Sequence, residues 1–306
     1  MNNNLTNWKN SGRFFHYQGH KIFYTYSFLS GDVKHQKDKP TLLCIHGFPM
    51  SSWDWSTLWP ELTSKYHVLA LDQLGFGFSD KPPHHQYSIV EQTDITEALL
   101  NQLNIKDYHL LAHDFGTLIA QELLDRDQER SKLAQSISAP KINKLIAMSG
   151  SIFPELSNPR LIQKLLISRI GFLITKLFNQ KKFNQSMTRV FFNTSNFTTE
   201  NLNQEDLIHC YWQLLNYQQG HKLLHQLNFF LKDRKYHGQR WADAWQASNR
   251  PIRYIVGLQD PMYGNEVVAR LKHSSKQQDI HVVDQSGHFP HIECPAKVLQ
   301  LITDFI

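Results

Sequence analysis

The stretch Leu110-Leu111-Ala112-His113-Asp114-Phe115-Gly116 decides the fold. An apolar run of the kind buried on both faces of a sheet enters a turn of small residues and then a helical pattern from Thr117 to Asp125. Such a corner is a nucleophile elbow. It holds one side chain in a strained conformation at the carboxyl end of a strand, beside the positive end of the next helix. Here that side chain is Asp114, where Ser is more familiar. Gly116 lets the helix approach the strand closely, and Ala112 is small enough for a position where Gly is commoner.

Working outward, further short apolar runs read as buried parallel strands: Thr41 to Ile45, His67 to Leu71, Tyr108 to Ala112, Leu145 to Met148, Ile252 to Val256 and Ile280 to Val283. Helical stretches separate most of them, namely Val90 to Leu103 after a Ser88 cap, Thr117 to Asp125, and Val267 to Leu271. Strand alternating with helix means an α/β protein with a mostly parallel central sheet. Arg13 to Ser27 alternates aromatic and polar residues around Gly19-His20, which predicts an antiparallel hairpin at the start. The alternation stops between Gly150 and Arg250, where Leu, Phe, Gln and Asn recur at helical spacing. The expected organisation is therefore a core of residues 1–150 and 250–306 with a helical insertion of 151–249.

With 306 residues the chain can bury a large core, and a formal net charge of +5 arises from scattered Lys and Arg. Lys176, Lys181 and Lys182 form the one basic cluster, without zinc-finger spacing or aromatic interleaving, so nucleic acid is not an expected partner. Cys44, Cys210 and Cys294 lie far apart and are odd in number, which argues for free thiols in a reducing compartment. Met1 to Asn10 is polar and lacks the apolar core of a signal peptide, so a cytoplasmic location is expected. Leu161 to Phe178 is the most apolar stretch, but Lys164, Arg169 and Lys176 interrupt it. Its first reading is a helix pair within the insertion; its second is contact with a membrane surface.

The chemistry follows from three positions. A carboxylate is already ionised at neutral pH, so Asp114 needs no base to attack an sp³ carbon. The resulting enzyme ester must be hydrolysed by an activated water, the task assigned to His288 in Ser286-Gly287-His288-Phe289-Pro290. Asp260, after the strand Ile252 to Val256, would orient His288 and stabilise its protonated form. The chain order Asp114, Asp260, His288 is the nucleophile, acid, base order of strand–elbow–helix hydrolases. In His46-Gly47-Phe48-Pro49, the Phe48 N–H could pair with that of Phe115 as an oxyanion hole. His46 and His113 flank this site as supporting residues, and no ligand spacing suggests a metal. The glycines of Asp72 to Asp80 lack the Lys-Ser/Thr of a phosphate loop.

Together His46-Gly47-Phe48-Pro49, Asp72 to Pro82, His113-Asp114-Phe115-Gly116 and Gly287-His288-Phe289-Pro290 resemble the epoxide hydrolase and haloalkane dehalogenase branch of the α/β-hydrolase superfamily. Within it the chain is most similar to the mesoderm-specific transcript protein group, through Gly75-Phe76-Gly77-Phe78-Ser79-Asp80-Lys81-Pro82, Ile152-Phe153-Pro154-Glu155 and Gln163-Lys164-Leu165-Leu166. The resemblance implies an α/β-hydrolase fold with a helical cap, an Asp nucleophile, a His base, an acidic partner and no cofactor. It also exposes departures. Epoxide hydrolases place two proton-donating tyrosines in the cap, whereas the aligned positions here fall near Phe153 and at Phe230, which donate nothing. Dehalogenases place Trp after the nucleophile and often Asn in the oxyanion loop, where this chain has Phe115 and Phe48.

The expected substrate is a small apolar organic molecule consumed with water: an epoxide first, a haloalkane next, an ester third. Pocket candidates are His46, His113, Phe153, Tyr211, Trp212, Tyr217, Phe230 and Phe289, with Tyr236 a further possible donor. A non-catalytic small-ligand-binding protein is the contrasting class. Trp53, Trp55 and Trp59 read as core packing.

Overall fold

The computed structural model describes residues 1–30, 39–133, 139–156, 159–191, 203–273 and 279–306. Eight strands form one sheet: β1 (Arg13–Tyr17), β2 (His20–Tyr26), β3 (Thr41–Ile45), β4 (His67–Leu71), β5 (Asp107–His113), β6 (Lys141–Met148), β7 (Ile252–Gly257) and β8 (Asp279–Val283). Their order is β1-β2-β4-β3-β5-β6-β7-β8. The β1–β2 hairpin joins antiparallel at the β4 edge, and every other pair is parallel. The predicted hairpin and all six predicted parallel strands are present, with ends displaced by a residue or a few. This is the α/β-hydrolase fold.

Because successive strand residues point to opposite faces, the sheet carries two cores. Leu43, Ile45, Leu110, Ala112 and Leu145 face one side, covered by α3 (Ile89–Gln102) and α4 (Gly116–Lys132). Leu42, Cys44, Leu111 and Ile146 face the other, covered by α2 (Trp59–Lys65) and α13 (Pro295–Thr303). The helix at α3 starts on the predicted cap, where Ser88 Oγ accepts the Glu91 N–H at 3.0 Å.

Two findings differ from the sequence reading. Asn3–Ser11 forms a helix, α1, although Asn is a poor helix former. Tertiary burial stabilises it: Leu5 and Trp8 are buried, the Trp8 indole donates to Ser52, and Asn2 caps the first turn. The chain also closes with two helices after β8, α12 (Pro290–Glu293) and α13, which the short apolar spacing there did not announce.

Between β6 and β7 the described residues hold helices and no strand. These are α5 (Leu161–Leu166), α6 (Gly171–Lys176), α7 (Gln180–Ser186), α8 (Gln204–Asn216), α9 (Leu224–Leu227) and α10 (Phe230–Ala247); α11 (Gly264–Lys272) follows β7. Leu207, Tyr211 and Leu214 of α8 pack with Met50, Trp53 and Phe289 of the core, while α10 lies against α4. The two sides of this contact meet above the ends of β3, β5 and β7. No described helix is long and apolar enough to cross a membrane.

Candidate active site

At the end of β5 the backbone of Asp114 adopts φ +46°, the left-handed region that a non-glycine residue enters only when its surroundings impose it. The imposing contacts are visible. Its N–H donates to Met148 O at 3.0 Å, and its carbonyl accepts the Thr117 N–H at 3.0 Å and the Thr117 hydroxyl at 2.6 Å. Gly116 is required by proximity, since a Cβ there would lie 2.6 Å from Ile45 O.

The Asp114 carboxylate is divided between two environments. Its Oδ2 accepts the Phe48 N–H at 3.0 Å, and the Phe115 N–H also bonds this carboxylate. Its Oδ1 lies 3.7 Å from His288 Nε2. On the opposite side of the imidazole, Nδ1 is 3.1 Å from Asp260 Oδ2. Asp260 is fixed in turn by the Met262 N–H at 2.8 Å and the Tyr263 N–H at 3.3 Å. The structure thus brings Asp114, Asp260, His288, Phe48 and Phe115 into one constellation.

Electrostatics separate the three groups. Burial raises the Asp114 carboxyl above its ordinary range, against the pull of His288 and of the Phe48 and Phe115 N–H groups. Burial also opposes charge on His288, but the Asp260 carboxylate, its hydrogen bond and then Asp114 outweigh it, so the imidazole sits above its usual value. For Asp260, burial is overcome by His288 and the Met262 N–H, leaving the carboxyl below its usual value. Asp260 is therefore placed to stabilise the protonated form of His288 through Nδ1, and His288 to stabilise the Asp260 carboxylate.

Supporting residues hold this geometry. Glu293, fully buried, accepts the Gly287 N–H and the Phe289 N–H at 2.9 Å each, so one carboxylate grips both sides of His288. His113 Nε2 donates to His288 O at 2.8 Å. His46 Nε2 accepts the Gln73 N–H at 3.1 Å, which makes Nδ1 the protonated nitrogen that donates to Gly47 O at 2.8 Å. Burial pushes His46 down to about 4, so it is a neutral strut. The Asp72 loop is likewise self-contained: Asp72 accepts the Ser52 N–H at 2.7 Å and the Phe78 N–H at 2.6 Å, while Lys81 donates to three carbonyls of the same loop.

The other pocket candidates divide. Phe230 packs against Phe48 and Phe115 at ring distances of 5.4 and 5.7 Å, and Phe289 touches both His113 and His288. Phe153 is buried under the Arg270 guanidinium, and its carbonyl accepts from Arg234. Tyr211 is buried beside Asp54 and Trp53, behind the site. Trp212 packs on Phe178, Phe183 and His221, and Tyr217 on Phe78 and Lys9; the structure does not bring these two to the carboxylates. Tyr236 is 78% exposed and also stands apart.

Four residues escaped the sequence reading. Arg234 of α10 is buried, donates to Ser151 Oγ and Phe153 O, meets the Tyr263 hydroxyl and feels the Asp114 charge. No described carboxylate pairs with it directly, which is costly for a buried guanidinium. Its signal was its place on the apolar stripe Phe230, Arg234, Trp241, Trp245. Tyr263 stacks near His288 at 5.9 Å, and burial followed by the Asp114 charge keeps its phenol protonated. Glu293 had no signal beyond its spacing from His288. Asp54 is buried, and desolvation raises its carboxyl well above the ordinary range. One ligand atom each of Asp54, His113 and His291 lies within 4.8 Å of the others, a grouping that could hold a metal ion. Desolvation followed by neighbouring imidazoles holds both histidines in the neutral, ligating form.

A cavity of about 360 Å³ opens between the segment joining β6 to β7 and the residues that follow β7, lined by Arg160, Phe230, Arg234, Asp260, Met262 and Tyr263 among others. A family model for the alpha/beta hydrolase fold matches residues 40–295. The chain belongs to that family. Across 310 residues this hydrolase is 36% identical to the mesoderm-specific transcript protein of Mus musculus, covering 99% of this chain and 88% of the relative. It is 24% identical to epoxide hydrolase 1 of Caenorhabditis elegans, over 88% of this chain and 65% of that one. The solved structure of the epoxide hydrolase CorEH without ligand superposes on the hydrolase with a TM-score of 0.70 at 18% identity, over 96% of this chain and 97% of that chain.

Proposed function

We propose that this hydrolase opens a small epoxide in two covalent steps, with Asp114 as nucleophile, His288 as base and Asp260 as its acidic partner. The observation that carries the reading is the division of the Asp114 carboxylate, one oxygen accepting the Phe48 N–H and the other facing His288 Nε2. In the first step Asp114 Oδ1 bonds to a ring carbon, the carbon–oxygen bond of the ring breaks, and the released alkoxide takes the proton of Tyr263. In the second, His288 Nε2 takes a proton from water, whose oxygen attacks Asp114 Cγ. The negative oxygen of the tetrahedral intermediate is Oδ2, which accepts the Phe48 N–H, while the Phe115 N–H also bonds this carboxylate. Collapse breaks the ester bond, the departing oxygen takes the proton from His288, and the remaining water proton returns to Tyr263.

Tyr263 with Arg234 favours an epoxide over a haloalkane. A halide leaves without a proton, whereas an opening ring needs a donor, and the positions that align with the cap tyrosines fall near Phe153 and at Phe230 here. Arg234 supports the donor by stabilising the transient phenolate. We further propose that 151–249 serves as the cap, with Phe230, Phe48 and Phe115 giving the substrate an apolar bed and Arg234 with Tyr263 its polar end.

The test is intact mass spectrometry of His288→Gln incubated with pooled epoxides, haloalkanes and esters. Loss of the base should trap the ester, and addition of a whole epoxide mapped to Asp114 is the expected result. Addition of an alkyl group without its halogen would replace the epoxide reading with dehalogenation. An adduct on any other residue, or no adduct with inactive wild type, would refute the assignment of Asp114.

A further inference from the structure

Among the described residues, seven of the thirteen large hydrophobic side chains that stand exposed lie in a single run: Leu161, Ile162, Leu165, Ile170, Phe172, Leu173 and Leu177. Leu161 is 74% exposed and Leu177 68%. The cause is the packing of α5 and α6. α5 buries none of its residues, and α6 buries only Gly171 and Thr175, so their apolar side chains point outward. Single exposed leucines need no explanation, but a contiguous patch of this kind marks a surface that something covers.

Charge identifies what covers it. Between Glu155 and Glu200 the chain holds Arg160, Lys164, Arg169, Lys176, Lys181, Lys182 and Arg189 and not one Asp or Glu. The rest of the chain, by contrast, holds 25 basic and 27 acidic residues, near balance. The six beyond Arg160 are exposed and interleave with the apolar side chains. Apolar residues that enter the acyl boundary, ringed by cations at headgroup level, are what an anionic bilayer surface recognises. With six residues each, α5 and α6 are too short to span, so the contact is interfacial.

From this complementarity we infer that the α5–α6 face docks on the surface of an anionic phospholipid bilayer. The position of the face adds a consequence for access. Arg160 and Gln163 line the cavity that reaches Asp260 and Tyr263, while Leu161, Ile162 and Leu165 beside them face outward. A docked molecule would hold the rim of its cavity against the membrane, so a lipid-dissolved compound could enter without crossing bulk water. The docking itself does not depend on the epoxide reading.

The experiment is sedimentation of the full chain with phospholipid vesicles, either pure phosphatidylcholine or containing about one-quarter phosphatidylserine. Two variants are compared, Leu161→Ser/Leu165→Ser/Leu173→Ser/Leu177→Ser and Lys164→Glu/Arg169→Glu/Lys181→Glu. All seven positions are exposed, so circular dichroism and melting should match wild type. The expected result is wild-type binding to the anionic vesicles, reduced about tenfold or more in each variant and weakened by about 0.5 M salt. Wild type left in the supernatant, or bound as well by the serine variant, would overturn the proposal. So would a wild-type dimer in light scattering that the serine variant converts to monomer, since the face would then be covered by a second copy.

Discussion

Helix α10 and the pair α5–α6 both lie between β6 and β7, yet they are held by different physics. α10 buries Trp241 and Trp245 against the core, and Glu122 of α4 accepts the Trp241 indole at 2.6 Å, Arg240 at 2.5 Å and Arg126 at 2.8 Å. Asp233, from the same helix, accepts the Ile89 N–H at 2.6 Å and so caps α3. α5 and α6 rest mainly on each other, on α9 and on the turn that follows Asn216. The lesson is that helices in one stretch of chain need not be equally anchored. α10, which carries Arg234, is tied down, whereas α5, which reaches the cavity through Gln163, and α6 leave most of their side chains at the surface.

The sharpest way to break this contrast is Trp241→Ala. Removing a fully buried indole should cost about 3–5 kcal/mol in urea unfolding. A loss under about 1 kcal/mol would mean that α10 is no better anchored than α5. Glu122→Gln comes next, with an expected loss of about 1–3 kcal/mol because one oxygen remains for donors that used two. This variant also gives the comparison a pH signature. Burial opposes charge on Glu122, but the Trp241 indole and the Arg126 and Arg240 guanidinium groups outweigh it and lower its carboxyl below 4.5. Its stabilisation is therefore full above the unfolded value and fades as pH falls through the lower folded value. The gap in melting temperature between wild type and Glu122→Gln should close on acidification, and a gap that widens would reverse the sign of this account. Smallest of all, Leu173→Ser should change stability by about 0.5 kcal/mol or less. A larger loss would show that the α5–α6 face is core after all.

Much of this architecture was legible because its signals are local. Buried parallel strands are short apolar runs, and the elbow at Ala112 to Gly116 declares itself by residue size. That Asp260 follows β7 and His288 follows β8 was readable in the same way. What was not legible depends on distant partners. Asn3–Ser11 looks like a polar tail until Trp8 meets Ser52, and Tyr263 is an ordinary loop aromatic until Arg234 arrives from α10. Trp212 and Tyr217 carry the composition of pocket residues, but helix rotation turns them toward Phe178 and Phe78 instead. Periodicity locates an apolar stripe; it does not say which layer the stripe will meet.

The small helix α1 has a consequence for the order in which the molecule is assembled. Its residues precede every partner they touch, with Asn2 bonded to Gln213, Lys9 to Tyr217 and Trp8 to Ser52. A chain emerging from the ribosome exposes α1 long before α8 exists. Nine residues cannot persist as a helix in water, so this segment must wait as coil. Its docking is thus a late event of synthesis, a latch fastened after both the sheet and the helices between β6 and β7 have formed.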